Sequence, residues 1–145
     1  MMRTRLLIVA VVLAVGLAGC TRAEPVAADS TIHLARDGGD MLIHDELELR
    51  PDGTWTYTNT AGKRFTGKLT EDRTKQVYAL VTSDDFAEEM VHPTKGMDCA
   101  DAPEISLVVG GRKSTYFGCF EEVWPKTAEV VDILQWDITV PNEKS

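Results

Sequence analysis

Positive charge is scarce in this chain. In 145 residues, 15 Lys and Arg stand against 23 Asp and Glu, for a formal net charge of −8 and a pI near 4.8. That balance excludes non-specific nucleic-acid binding, because phosphates need a basic surface. Histidine is scarce too. His33, His44 and His92 are the three present, and no two are spaced i, i+4 as a helical metal site would need. The three cysteines form no C-x-x-C pair, and no H-x-x-x-H accompanies them. Also missing are G-x-S-x-G, S-x-x-K, a Walker sequence and the D-x-D-x-D-G calcium loop. These absences argue against the common enzyme classes, so a non-enzymatic protein without metal or cofactor is expected. Repeats and low-complexity tracts are lacking as well. Hydrophobic residues make up 43% and charged residues 26%, a balance that suits one globular domain and excludes a disordered chain.

The N-terminus is distinctive. Arg3 and Arg5 precede thirteen uncharged residues, Leu6 to Ala18, all Leu, Ile, Val, Ala or Gly. This run has signal-peptide length and is shorter than the roughly 20 residues that span a bilayer. It ends in Leu17-Ala18-Gly19-Cys20, which resembles the bacterial lipobox. The resemblance implies cleavage before Cys20 and a lipid thioether on its sulfur, holding the protein at the membrane on the extracytoplasmic side. Attachment by two or three acyl chains is stable where one is marginal, each buried CH₂ contributing about 0.8 kcal/mol. Loss of residues 1–19 removes Arg3 and Arg5 and no acid, so the charge deepens from −8 to −10. Such a body is expected to stand off an anionic lipid surface. Residues 20–30 are expected to act as a flexible tether, being rich in small residues and without hydrophobic periodicity.

With Cys20 assigned to lipid, Cys99 and Cys119 remain. Outside the cytoplasm an even remainder reads as one disulfide. Closing a loop of about 20 residues would contribute about 3 kcal/mol in the chain-entropy model. The rival, a metal site using both thiols, needs two further ligands at suitable spacing.

Alternation of apolar and polar residues predicts strands over 31–35, 45–50, 54–58, 63–69, 104–109 and 112–117. Arg36-Asp37-Gly38-Gly39-Asp40, Pro51-Asp52-Gly53, Ala61-Gly62 and Gly110-Gly111 read as turns. Thr70 suits the N-cap of a helix over 71–82, and Ser83-Asp84-Asp85 suits a further helical turn. Pro125 opens a closing helix with Val130, Val131, Ile133, Leu134 and Ile138 on one broad face. Val91 to Pro103 reads as a long loop. The expected fold is therefore α+β: one domain over 31–140, a mainly antiparallel sheet of hairpins with two helices on one face, and a polar tail over 141–145.

Few residues suggest chemistry. His33 and His44 would need to meet across the first hairpin, beside Asp45 and Glu46, to bind a metal; exposed strand-end histidines are the simpler expectation. Asp84, Asp85, Glu88 and Glu89 are expected to form a solvated helix face. Phe120, Glu121, Glu122 and Trp124 lie in an irregular stretch beside the expected bridge. With the 91–103 loop they are the candidate partner-binding surface, since Trp is enriched at hot spots.

Several landmarks follow one another along the domain: Arg36-x-Gly38-Gly39 after the first strand, Gly67-Lys68-Leu69 before a helix and Asp85-Phe86 at a helix end. Asp101 before a strand, a Gly-Gly hairpin and Trp124-Pro125 before the closing helix follow. In this outline, from about Ile32 to Ile138, the chain resembles the emfourin-type inhibitors of thermolysin-like metalloproteases. The resemblance implies the α+β layout and makes protease inhibition one form of the expected function; no inhibitory residue is carried over. The lipobox, tether and cysteine pair depart from that pattern. The expectation is a membrane-anchored binding domain with a protein partner, and the alternative is a structural or assembly lipoprotein of an envelope complex.

Overall fold

The computed structural model describes residues 22–92, 101–117 and 124–143. Cys20, Cys99 and Cys119, and with them the lipid and disulfide assignments, lie outside the described residues, as do Phe120, Glu121 and Glu122.

Six strands form one antiparallel sheet in the order β4-β3-β2-β1-β5-β6. They are β1 (Ile32–Gly38), β2 (Ile43–Leu49), β3 (Thr54–Thr58), β4 (Arg64–Lys68), β5 (Glu104–Val109) and β6 (Arg112–Phe117). The β1–β4 meander and the β5–β6 hairpin join into this one sheet where β1 pairs with β5, Leu34 facing Leu107. The fold is α+β and a single domain, as the hairpin pattern predicts. The first turn differs from expectation. Arg36 and Asp37 belong to β1, opposite Asp45 and His44, and the chain reverses later, at 39–42. The reason is Asp45, which gives Arg36 a buried partner and holds the strand extended.

Three helices cover one side of the sheet. Thr70 Oγ1 accepts from the Arg73 N–H at 3.2 Å and starts α1 (Glu71–Val81). Ser83 Oγ accepts from the Phe86 N–H at 3.2 Å and starts a separate helix, α2 (Asp84–Val91). The closing helix, α3 (Pro125–Leu134), continues through a π-helical stretch (Gln135–Thr139) into a last turn, α4 (Val140–Glu143). Two helices were expected; the Ser83 cap makes the extra one. Residues alternate strictly along the strands. Ile32, Leu34, Leu47, Leu49, Tyr57, Leu107 and Val109 face the helices and are buried against Val77, Phe86, Val130, Leu134 and Ile138. Each such side chain contributes about 1.5–3 kcal/mol by leaving water.

The segment 22–30, expected as a flexible tether, lies along the body. Arg22 pairs with Asp84 at 2.8 Å, and the Ala23 N–H donates to Glu88 Oε1 at 2.7 Å. Val26 is 6% exposed and belongs to the core, where it abuts Gly110 so closely that a Cβ there would come within 2.9 Å of Val26 Cγ1. The Tyr78 hydroxyl donates to the Ser30 carbonyl at 3.0 Å. Small residues, read as a spacer, are what lets this backbone approach so near. Trypsin is therefore expected to cut slowly after Arg22. Val26→Asp, which buries a carboxylate without a partner, is expected to speed that cut and to destabilise the domain by about 1–3 kcal/mol; mass spectrometry of a timed digest and urea midpoints check this.

Candidate functional site

The side of the sheet away from the helices carries no layer among the described residues. Because strand register is fixed, its side chains form cross-strand rows. One row runs Lys113, Val108, His33, Glu48, Thr56 and Thr66; the next runs Thr115, Ser106, Ala35, Glu46, Thr58 and Arg64. Ala35 and Ser106 are small, so the middle of the sheet is hollowed. The hollow measures about 430 Å³ and is lined by His33, Ala35, Glu46, Glu48, Thr56, Thr58, Arg64, Ser106 and Val108, with Leu34 and Leu47 at its floor. It is a shallow, hydroxyl-rich concavity with carboxylates in its centre and Arg64 at its rim.

Under the opposite side of the sheet lies a buried ionic group. Arg36 Nε donates to Asp45 Oδ1 at 3.0 Å and Arg36 Nη2 donates to Asp45 Oδ2, while the Tyr57 hydroxyl donates to the same Oδ2 at 2.8 Å. All three residues are buried, Tyr57 completely. Burial, and then the hydrogen bond to Asp45, push the Tyr57 hydroxyl well above the usual phenol range. Both oxygens of Asp45 are engaged, and the sheet separates the group from the hollow. Its geometry serves to fix β1, β2 and β3 against one another.

The other candidate residues are placed as follows. His33 faces Glu48 and His44 faces Asp37, four positions further along β1, so the two histidines do not converge. His44 Nδ1 lies 3.3 Å from Asp37 Oδ1 on an exposed surface. Among the described residues no group of three or more His, Cys, Asp or Glu is placed to hold a metal. The acidic run of α2 is partly structural. Besides the Asp84 and Glu88 contacts, Glu89 accepts from the N–H groups of Lys126 and Thr127 at 3.0 and 2.7 Å and from Thr127 Oγ1 at 2.8 Å. It thereby caps α3, whose own N-cap, Trp124, supplies no side-chain bond. Trp124 corrects another expectation. It is 8% exposed, with its ring tilted 56° against Tyr116 at 6.2 Å, so it is a core residue and not part of a partner surface. Sequence reasoning also passed over Trp136, which is 68% exposed.

Neither a family model nor a curated protein sequence matches the chain.

Breaking a buried ion pair by removing one member is strongly destabilising. Asp45→Ala is expected to lose about 3–5 kcal/mol, read as a fall in the urea midpoint, because the buried carboxylate that both Arg36 and Tyr57 donate to is then gone. An alkaline limit follows from the tyrosines. Burial, with the Asp52 charge adding to it, raises Tyr78 to about 12, and Tyr57 moves the same way. An unfolded tyrosine releases its proton near pH 10. Above that pH the unfolded chain holds fewer of these protons than the folded one, so stability falls as pH rises from about 10 towards 12 and is full below it. Urea midpoints at pH 9, 10 and 11 check this, with Tyr78→Phe expected to flatten part of the fall.

Proposed function

We propose that the chain is a lipid-anchored, extracytoplasmic binding module, without an enzymatic activity of its own, that presents the uncovered sheet face to a protein partner. The observation that carries this reading is that, among the described residues, the six-stranded sheet is covered on one side only. A face this broad, hollowed at Ala35 and Ser106 and lined by hydroxyls and carboxylates, offers complementarity without a deep pocket. The anchor rests on the lipobox-like Leu17-Ala18-Gly19-Cys20. Among the described residues no helix is long and apolar enough to cross a membrane; in this reading attachment runs through the lipid on Cys20. Arg22 is docked on the body, and chain length lets Cys20 lie at most two residue steps, about 7 Å, from it. The module then sits close to the membrane.

Membrane-bound full-length protein is the material for the test. Ala35→Arg fills the hollow with a long charged side chain; Asp132→Arg, on the exposed side of α3, is the control. Crosslinking and affinity capture should retain a partner with wild type and Asp132→Arg and lose it with Ala35→Arg, at unchanged urea midpoint. Retention by Ala35→Arg would overturn the face assignment. An integral-membrane partner supports the assembly form of the reading, and a soluble metalloprotease the inhibitory form. Unprocessed mass at the N-terminus would overturn the anchor.

A further inference from the structure

Acidic residues are spread through most of the chain, yet from Thr54 to Thr70 there is no Asp or Glu, while Lys63, Arg64 and Lys68 all fall there. The β3–β4 hairpin is thus a basic island on an acidic body. Among the described residues neither Arg64 nor Lys68 has a carboxylate within ion-pair distance. At the end of β4 this island meets α1 and the π-helical stretch. A groove of about 610 Å³ lies there, lined by Trp55, Lys68, Thr70, Arg73, Trp136 and Asp137, with Leu69 at its base.

Two indoles border the groove. Trp55 is half-buried and lies on Gly67, where a Cβ would come within 2.3 Å of the ring. Trp136 stands out into solvent. Leu134 and Ile138 face the core, so a residue two positions from each falls on the opposite side of the helix. The core has no use for this ring. Polar groups surround it. Arg73 is held flat by two contacts, Nε to Asp137 Oδ2 at 2.9 Å and Nη1 to Gln76 Oε1 at 2.8 Å.

We propose that this groove binds an acidic glycan, with a sugar ring stacked on Trp136 and a carboxylate directed to Lys68. The C–H face of a sugar is weakly apolar and matches an indole face, while its hydroxyls need the alternating donors and acceptors that Arg73, Asp137 and Thr70 supply. A protein hot spot would be ringed by apolar side chains that exclude water; here Trp55 and Leu69 are the apolar lining beside Trp136, and the rest, Lys68, Thr70, Arg73 and Asp137, is polar. Strand addition by a peptide is opposed by Arg64 and Lys68, charges of the kind that guard an open edge. The charge of the island supplies the preference for an anionic polymer. This inference is independent of the open-face reading, since the groove lies at the other end of the hairpin from Ala35.

The test is calorimetric titration of the full chain in detergent with trigalacturonate, chitotriose and tetraglutamate. Trigalacturonate should bind, with a Kd of about 10 µM to 1 mM, and weaken as salt rises. Trp136→Ala should weaken it about tenfold or more, Trp136→Phe should restore most of the loss, and Lys68→Glu should weaken it about tenfold. Asp40→Arg, exposed at the turn between β1 and β2 at the far end of the sheet, should leave it unchanged. Because Trp136 and Lys68 lie on the surface, these variants should keep the wild-type urea midpoint. No binding of trigalacturonate overturns the proposal. So does chitotriose binding as tightly, which removes the role of charge, and so does tetraglutamate binding equally well and surviving Trp136→Ala, which would mark an acidic-peptide surface.

Discussion

The register of β1 is the constraint from which the rest follows. This strand lies inside the sheet, paired with β2 on one side and β5 on the other. Its residues alternate Ile32, Leu34, Arg36 towards the helices and His33, Ala35, Asp37 away from them. A slip by one residue against either neighbour would carry a histidine into the core and two large aliphatics into water. The Arg36–Asp45 pair resists such a slip more sharply than hydrophobic matching does. Leucines can exchange places across a core, whereas a buried guanidinium must keep its directed hydrogen bonds to a carboxylate. Tyr57 extends the lock to β3. Three strands are thus fixed by one carboxylate, and the uncovered face inherits its fixed rows from a contact on the other side of the sheet.

Local features of this fold were legible because their causes are local. Pro51-Asp52-Gly53 and Gly110-Gly111 reverse the chain where expected, and β5 and β6 end where alternation ends. In the first of these turns Asp52 accepts from the Thr54 N–H at 2.9 Å, a contact its sequence spacing alone suggests. The misread positions depend on distant partners. Arg36 next to Asp37 and two glycines looks like a turn; only Asp45 across the hairpin shows it to be a strand. Glu89 looks like part of a solvated acidic face, and its true role appears only when the N-terminus of α3, 37 positions on, is brought against it. The same holds for the β1–β5 pairing, which joins segments about seventy residues apart and which no periodicity encodes.

The candidate surfaces divide in the same way. Trp124 and Trp136 are chemically identical and lie one on each side of the same helix start and end, yet one closes the core and the other projects from it. Helical phase distinguishes them for Trp136, since Leu134 and Ile138 set the inward direction. It does not reach Trp124, which precedes the helix and takes its direction from Tyr116. An irregular stretch rich in aromatics therefore carries little information about exposure, whereas an aromatic out of phase with a well-defined apolar stripe carries a good deal.

Charge is best read locally as well. The net value describes the long-range field, which repels an anionic membrane and discourages nucleic acid. At ionic strengths near physiological, that field is screened beyond about 8 Å. A ligand seated at the end of β4 therefore feels chiefly the groups around it. Lys68 is one of them, and Arg73 is already neutralised in part by Asp137. An acidic body can thus carry one hairpin whose local field favours anions. The same separation explains how Arg22 can dock on Asp84 in a chain whose overall charge gives every cation many acidic choices. The contact is selected by the short path from Val26, which is fixed in the core, and not by the field as a whole.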